Sequence, residues 1–271
     1  MSFIIIAEKI NGSVPRTKEA IEARDADYIR QIAKAQADAG ATYIDVNAGV
    51  EPSEEHEVME WLIDLVQEVT DTPLCIDSAD PQVMVDMMPK ANAVGCLNSV
   101  NMEGNKCDVV FPAIAGTEWY VVALTCDEEG IPTDPQKKFE IAQKIIAKAD
   151  EYGVDHEKIL FDPLVTTLGT NQESFVQFTE ATKLIKEAWP EVHITSGLSN
   201  ISFGLPSRKT INMQFLALAM YDGMDSAIMD PTSRDMMGAM FATQALMNKD
   251  PYCKDYTMGF RNGLFGNKPQ A

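Results

Sequence analysis

The stretch DADYIRQIAKAQADAGATYIDVNAG, residues 25–49, contains one complete unit of the predicted fold. Its first part spaces apolar residues by three and four and ends at Gly40, as an amphipathic helix does at its C-cap. Its second part, ATYIDVNAG, is a short apolar run typical of a buried strand, and it ends in polar residues. A helix followed directly by such a strand indicates a parallel sheet with helical crossovers.

The same alternation extends along the whole chain. The candidate strands are FIIIAEKIN (3–11), ATYIDVNAG (41–49), PLCIDS (73–78), AVGCLNSVN (93–101), WYVVALTCD (119–127), ILFDPL (159–164), HITSGLSN (193–200) and SAIMD (226–230). Eight such units in about 250 residues predict an α/β fold, a single (β/α)8 TIM barrel. The alternative is an open doubly wound sheet. That fold usually carries a GxGxxG loop after its first strand, where this chain has KINGSVPR.

The chain shows no internal boundary. No linker, low-complexity segment or shift in composition divides it. We therefore expect residues 1–271 to form one barrel domain, with a short C-terminal extension from about residue 250. The helical pattern at about residues 106–116 is the weakest, because Pro112 interrupts it.

Composition narrows the possible functions and location. The formal net charge is −19, which argues against a nucleic-acid surface and against binding to anionic membranes. The chain shows no basic leader, and no apolar run approaches the roughly 18 residues of a spanning helix. Its five cysteines form no CxxC pair, which favours reduced thiols in a cytoplasm. Its three histidines are far apart, so no protein-bound metal is expected.

Polar residues gather at the predicted carboxyl ends of the strands, where a barrel of this type carries its active site. They are Glu8, Asn11, Asp45, Asn47, Asp77, Ser78, Asn98, Ser99, Asn101, Thr125, Asp127, Asp162, Ser199, Asn200 and Asp230. Any one of them could instead form a turn or cap the following helix. Several of them directly follow an apolar run. At such a position an unpaired buried carboxylate destabilises the folded protein by on the order of several kcal/mol. These carboxylates need donors to face, and a bound ligand could supply them.

The chemistry of this set narrows the ligand. Carboxylates and amides dominate, and Lys9 is the only cation at a strand end, so a sugar phosphate or a Schiff-base reaction is disfavoured. A carboxylate can accept two parallel hydrogen bonds from a ring N–H and a neighbouring exocyclic NH2 group, and an amide suits the adjoining carbonyl and ring nitrogens. A pterin has such an edge. A purine, a guanidine or an amino sugar would also satisfy these residues.

Six motifs, taken together, resemble one known family in order and spacing. They are EKING (8–12), YIDVNAG (43–49), LCIDSAD (74–80), LNSVN (97–101), FDPL (161–164) and GLSNISFGLP (197–206). The chain resembles the methyltetrahydrofolate:corrinoid protein methyltransferases. These are pterin-binding (β/α)8 barrels, similar to the folate domain of cobalamin-dependent methionine synthase. The likeness extends from about residue 3 to about residue 262.

The resemblance implies a reaction and roles for particular residues. A methyl group would move between N5 of tetrahydrofolate and the cobalt of a corrinoid carried by a partner protein, and the sequence does not indicate the direction. Asp77, Asn98 and Asp162 match the pterin-holding positions, and Asn200 matches an amide near N5. Supporting roles are implied for Glu8, Asn11, Asp45, Asn47 and Ser199. The family also implies a homodimer.

A neutral amide at position 200 suits this chemistry, because it can donate to or accept from a nitrogen that changes protonation. Two alternatives stay open at this point. A dihydropteroate-synthase-like enzyme would need Lys and Arg at strands 6 to 8 to bind pyrophosphate, and those strand ends instead read FDPL, GLSN and IMDP. A non-catalytic module that binds folate or the corrinoid protein is the other. Lys9, Arg16 and Arg208 are candidates for the glutamate tail of the folate.

Overall fold

The computed structural model describes residues 3–267, and within them parallel strands alternate with helices. The strands are β1 (Ile4–Asn11), β2 (Tyr43–Asn47), β3 (Leu74–Asp77), β4 (Cys96–Met102), β5 (Tyr120–Asp127), β6 (Ile159–Asp162), β7 (His193–Ile194) and β8 (Ser226–Met229). The helices are α1 (Pro15–Glu22), α2 (Ala26–Asp38), α3 (Pro52–Gln67), α4 (Pro81–Met87), α5 (Lys106–Ile114), α6 (Pro135–Tyr152), α7 (Ser174–Ala188), α8 (Arg208–Tyr221), α9 (Arg234–Leu246) and α10 (Lys254–Arg261). The predicted α/β class is confirmed.

The strands follow one another around a barrel in chain order. Seven neighbouring pairs from β8 through β1 to β7 are hydrogen-bonded and parallel. The circle is completed between β7 and β8, where Ile228 N donates to Ser196 O at 2.9 Å and Asp225 N donates to Ile194 O at 3.1 Å. The (β/α)8 barrel is therefore confirmed, and the open doubly wound sheet was the wrong alternative.

The helix boundaries follow the local signals in the sequence. Helix α6 ends at Gly153, which has a φ of 76° and leaves the helix in the left-handed conformation that glycine adopts most readily. The interrupted segment at residues 106–116 does form α5, with Pro112 inside its last turn. No helix between residues 3 and 267 is long and apolar enough to cross a membrane.

The predicted seventh strand is too long. The regular strand β7 covers only His193–Ile194. Single contacts to neighbouring strands continue to Gly197, and the chain then enters a 3-10 turn, Leu198–Ser202. The physical reason is that Gly197 N donates to the carboxylate of Asp162, at 3.4 Å, instead of continuing the ladder. Asn200 N then donates to Gly197 O at 3.2 Å, which closes the turn. The turn predicted at the end of this strand is confirmed.

Two apolar regions fill the molecule. The larger lies between the outer face of the barrel and the helices, and includes Phe111, Phe161 and Phe178. The smaller fills the barrel interior. It consists of Ile6, Tyr43, Cys75, Cys96, Val122 and Leu160, with partly buried neighbours such as Leu124 and Ile228. The polar strand ends follow this apolar interior layer, toward the carboxyl end of the barrel.

Candidate active site

A polar layer lies directly above the apolar interior of the barrel. Because alternate residues of a strand point to the same face, the residues two positions after the interior ones also point inward. Applied to the six interior residues, this relation yields Glu8, Asp45, Asp77, Asn98, Leu124 and Asp162. Five of these six are polar, and all five were predicted from the strand ends. They form the lining at the carboxyl end of the barrel.

A hydrogen-bonded cluster occupies the side of this layer formed by β1 to β4. Asn98 Nδ2 donates to Asp45 Oδ1 at 3.3 Å. Asn11 Nδ2 donates to Asp77 Oδ2 at 3.2 Å and makes a longer contact of 3.5 Å to Asp45 Oδ2. The side-chain amide of Asn47 donates to the main-chain oxygen of Asp77 at 3.3 Å. Two predicted amides, Asn11 and Asn98, therefore contact the two predicted carboxylates. A third, Asn47, holds the main chain of Asp77.

Burial makes both carboxylates of this cluster weak acids. It raises the pKa of Asp45 to about 6, against the opposing effect of hydrogen bonds headed by that from Asn98. The pKa of Asp77 is raised well above its usual range, first by burial and then by the charge of Asp45. Two carboxylates this close resist joint ionisation. A ligand that brings N–H donors to them would relieve both the desolvation and the repulsion.

Asp162 is held separately, at the end of β6. Its Oδ1 accepts from Leu164 N at 2.7 Å, and its Oδ2 accepts from Gly197 N at 3.4 Å. The residue is only 4% exposed, and burial raises its pKa to about 6. In the register of the sheet, Asn98 pairs with Val122 and Val122 with Leu160, and Asp162 follows Leu160 by two positions, so its side chain points to the same side of the sheet as that of Asn98. Both side chains therefore face the same interior.

The turn that follows β7 carries the predicted catalytic amide. The Asn200 side chain is exposed and makes no hydrogen bond to any other residue within 3–267. Arg208 fixes the turn beneath it, because its Nη2 donates to Ser199 O at 2.7 Å and its Nε donates to Ser202 Oγ at 3.2 Å. The hydrogen bonds from Arg208 thus hold the backbone of the turn in place, and the side-chain amide of Asn200 remains free to bind a ligand.

Glu8 connects this turn to the polar layer. Ser199 Oγ donates to Glu8 Oε1 at 3.3 Å, and both residues line a cavity of about 250 Å³ together with Asp230. Burial raises the pKa of Glu8 to about 7, and the charge of Asp230 adds to the effect. A carboxyl group with this pKa can take up or release a proton near neutral pH.

Glu8→Gln is expected to stabilise the ligand-free protein at pH 8. A carboxyl whose pKa is raised from 4.5 to about 7 contributes stability that is complete below pH 4.5 and lost as the pH rises through 7. The glutamine cannot ionise, so the free energy of unfolding at pH 8 should rise by about 2 to 3 kcal/mol. Urea unfolding at pH 4 and pH 8 measures this gain, which should vanish at the lower pH. Glu180→Gln, at an exposed position on α7, is the control, and equal pH slopes in both variants would contradict the assignment.

Several other predicted strand-end residues have local structural partners. Ser78 Oγ donates to Glu55 Oε1 at 2.6 Å. Asn101 donates to the carboxylate of Glu103 at 3.0 Å. Asp230 accepts from Thr232 N at 2.9 Å. These contacts match the turn and capping roles that the sequence left open. Of the candidates for the glutamate tail, Lys9 pairs with Asp230 at 2.9 Å and Arg208 braces the turn; Arg16 contacts Glu19.

Lys138 was missed by the sequence reasoning. It belongs to α6, is 2% exposed, and donates from Nζ to Pro163 O at 2.6 Å and to Leu164 O at 2.7 Å. Because it lies on a helix, it carries no strand-end signal. A signal was nevertheless present, since Lys138 shares the apolar face of α6 with Ile141, Ala142 and Ile145 at helical spacing.

Comparison with known proteins identifies the family. Residues 14–230 match the family described as pterin-binding enzymes, which is most of the chain and contains all of the polar layer except Glu8. The chain belongs to this family. The predicted pterin-binding barrel is thereby confirmed.

Two relatives of known name are similar in sequence to this pterin-binding enzyme. The methylcorrinoid:tetrahydrofolate methyltransferase of Eubacterium limosum is 50% identical over 265 residues, which cover 97% of this chain and 98% of the relative. The methionine synthase of Mycobacterium tuberculosis is 32% identical over 240 residues, which cover 84% of this chain but only 20% of that larger protein. The resemblance to corrinoid methyltransferases and to methionine synthase is confirmed.

Solved structures support the fold alone. The dihydropteroate synthase of Xanthomonas albilineans, determined with 4-aminobenzoic acid, has a TM-score of 0.69 and 20% sequence identity, and the match covers 91% of this chain and 92% of the synthase. At such an identity the shared barrel does not carry over an activity.

Proposed function

We propose that this pterin-binding enzyme transfers a methyl group from a corrinoid-bound cobalt to N5 of tetrahydrofolate. The observation that carries the proposal is the 50% identity, over 97% of the chain, to a relative named for this reaction. The polar layer supports it, because Asp77, Asn98 and Asp162 supply the acceptors and donors that the edge of a pterin requires. The direction follows the name of that relative.

The pterin is proposed to bind across the buried carboxylates. Asp162 and Asp77 would accept hydrogen bonds from the ring N–H and the exocyclic NH2 group, and Asn98 would bind the adjoining ring positions. Burial destabilises the ionised form of both carboxylates in the ligand-free protein. Two parallel N–H donors from the ligand would offset this desolvation penalty, and this favours binding. Supporting roles are proposed for Glu8, Asn11, Asp45, Asn47 and Ser199, which hold this layer and the turn above it.

The transfer step requires a proton to leave N5. The lone pair of N5 forms the new N–C bond, the cobalt–carbon bond breaks with its electrons remaining on cobalt as Co(I), and the N5 proton passes to water. The side chain of Asn200 is exposed. Its amide oxygen can accept a hydrogen bond from N5–H before transfer, and its NH2 group can donate a hydrogen bond to N5 when N5 carries no proton. Binding of the pterin edge would hold N5 in line with the methyl group.

The two alternatives are less well supported. A dihydropteroate synthase must bind pyrophosphate, but in the described residues Lys9 is paired with Asp230, Arg208 with the turn backbone, and Lys138 with two carbonyl oxygens. A non-catalytic binding module would not need an exposed amide that, among residues 3–267, has no hydrogen-bond partner for its side chain. Turnover distinguishes this module from the enzyme.

The test follows the corrinoid spectrum after mixing the protein with methylcobalamin and tetrahydrofolate. Loss of methyl-Co(III) and formation of Co(I), together with 5-methyltetrahydrofolate, is expected only when the protein is present. The reverse mixture, Co(I) cobalamin with 5-methyltetrahydrofolate, reports the opposite flux with the same enzyme. Folate binding without conversion in either mixture would contradict the methyltransferase activity and support the non-catalytic binding module.

We further propose the cellular setting that accompanies this activity. The chain is proposed to act in the cytoplasm as a homodimer with a separate corrinoid protein as partner, and with no resident metal. Residues 1–271 are proposed to form one domain whose extension from about residue 250 includes α10. Phe265, which follows α10 and is 5% exposed, contacts Phe241 of α9, so this segment packs on the last helix of the barrel.

A further inference from the structure

The peptide unit between Pro163 and Leu164 lies between the buried ammonium group of Lys138 and the carboxylate of Asp162, a predicted pterin-binding residue. The carbonyl oxygen of Pro163 accepts from Lys138 Nζ at 2.6 Å. The N–H of the same peptide unit, which belongs to Leu164, donates to Asp162 Oδ1 at 2.7 Å. Because a trans peptide is planar, a group that fixes its oxygen also fixes the direction of its N–H. Lys138 therefore determines where the N–H donor of Asp162 points.

The conformation of this loop requires a support. Leu164 has a φ of 58°, in the left-handed region that costs a residue with a side chain roughly 1 kcal/mol or more. Its own carbonyl oxygen is the second acceptor of Lys138, at 2.7 Å. Two buried carbonyls and a strained residue thus depend on one ammonium group. No other side chain within residues 3–267 donates to either carbonyl.

The charge of Lys138 also acts on Asp162. Within residues 3–267 no carboxylate lies within 4 Å of Lys138 Nζ. Burial has the larger effect on the pKa of Asp162 and raises it, whereas the positive charge of Lys138 lowers it. Burial lowers the pKa of Lys138 to about 8, which still leaves the ammonium form dominant at neutral pH. Other groups that face Asp162 are the Gly197 N–H and the thiol of Cys126. Lys138 is the one among them that carries positive charge.

We propose that Lys138 is a positioning residue that orients the Leu164 N–H and keeps Asp162 ionised, so that this carboxylate can accept hydrogen bonds from the pterin at neutral pH. The inference rests on the proposed folate-binding function. It assigns control over the affinity of the site to a residue of α6, outside the strands. Lys138 does not touch the substrate in this arrangement.

The test is the pH dependence of tetrahydrofolate binding, measured by calorimetry under anaerobic conditions between pH 5 and 9. In the wild type, affinity should fall as the pH drops through about 6, where Asp162 takes up a proton. Asp45 also takes up a proton near this pH, in the wild type and in every variant alike, so the change in midpoint between them reports Asp162. Lys138→Met should move this midpoint upward by about one pH unit and weaken binding at pH 7 roughly tenfold. Near pH 9 the two proteins should differ less. Lys144→Met, at an exposed position of the same helix, should bind as the wild type does.

Further variants separate the charge from the hydrogen bonds and guard against misfolding. Lys138→Arg keeps the charge and should restore the midpoint of the wild type. Lys138→Gln can still donate to a carbonyl but is neutral, so it should retain the raised midpoint. A uniform loss of affinity at every pH, with an unchanged midpoint, would overturn the role of the Lys138 charge in keeping Asp162 ionised, and unchanged affinity with an unchanged midpoint would overturn the positioning role. If the wild type itself bound no tetrahydrofolate, the proposed function would fail and the inference with it.

Discussion

Asn200→Ala is expected to slow methyl transfer roughly 100- to 1000-fold while tetrahydrofolate still binds, because one preorganised hydrogen bond at the reacting atom is lost. The pterin would remain on the carboxylates beneath, which within residues 3–267 make no hydrogen bond to the Asn200 side chain. Within residues 3–267 the amide has no partner, and the side chain is exposed. The free energy of unfolding should therefore change by less than about 0.5 kcal/mol.

Single-turnover mixing of enzyme, tetrahydrofolate and methylcobalamin measures this loss directly, with folate affinity determined separately. Asn92→Ala is the matched control, since Asn92 is an exposed asparagine whose only hydrogen bond among the described residues uses its main-chain N–H. The control should transfer methyl at the rate of the wild type. An unchanged rate in Asn200→Ala, with folate bound, would remove Asn200 from the reaction.

Asp77→Asn is expected to weaken tetrahydrofolate binding roughly 10- to 100-fold, because a charged acceptor of the pterin edge becomes neutral. The same change should stabilise the ligand-free protein at pH 8. Burial and the charge of Asp45 raise the pKa of Asp77, so its ionisation opposes folding as the pH rises. Weaker tetrahydrofolate binding together with a higher free energy of unfolding would show that the Asp77 carboxylate contributes to binding and destabilises the ligand-free protein.

Calorimetric titration with tetrahydrofolate and urea unfolding at pH 4.5 and pH 8 measure the two effects. The stability gain should shrink toward the lower pH, where the carboxyl of the wild type is also protonated. Asp71→Asn, at an exposed position in the loop before β3, should change neither quantity appreciably. Asp77→Asn with unaltered folate affinity would exclude Asp77 from the pterin site.

Much of the candidate site was predictable because its residues have a regular position in each strand. The apolar residues Ile6, Tyr43 and Cys75 each stand two positions before a polar one, and this alternation is visible in the sequence itself. Strand periodicity and barrel geometry together bring Glu8 and Asp77 to one layer. Their roles toward a folate remain predictions.

The donors that hold these residues were not predictable in the same way. Nothing in the sequence around Asp162 indicates that Gly197, 35 positions later, supplies one of its hydrogen bonds and thereby ends β7 early. Ser199 and Glu8 are separated by 191 positions. Lys138 reaches the loop after β6 from the first turn of a helix. Such contacts depend on how the barrel closes, which local propensity does not encode.

The sequence by itself determined the alternation of strands and helices, the (β/α)8 barrel, and the polar residues at its carboxyl end. These follow from periodicity and hydrophobicity, which are properties of neighbouring residues. Only the tertiary structure decided which amide meets which carboxylate, how far each carboxyl pKa is raised, and that a buried lysine supports Asp162. Those properties arise from desolvation and contact between residues far apart in the chain, and they exist only once the barrel has closed.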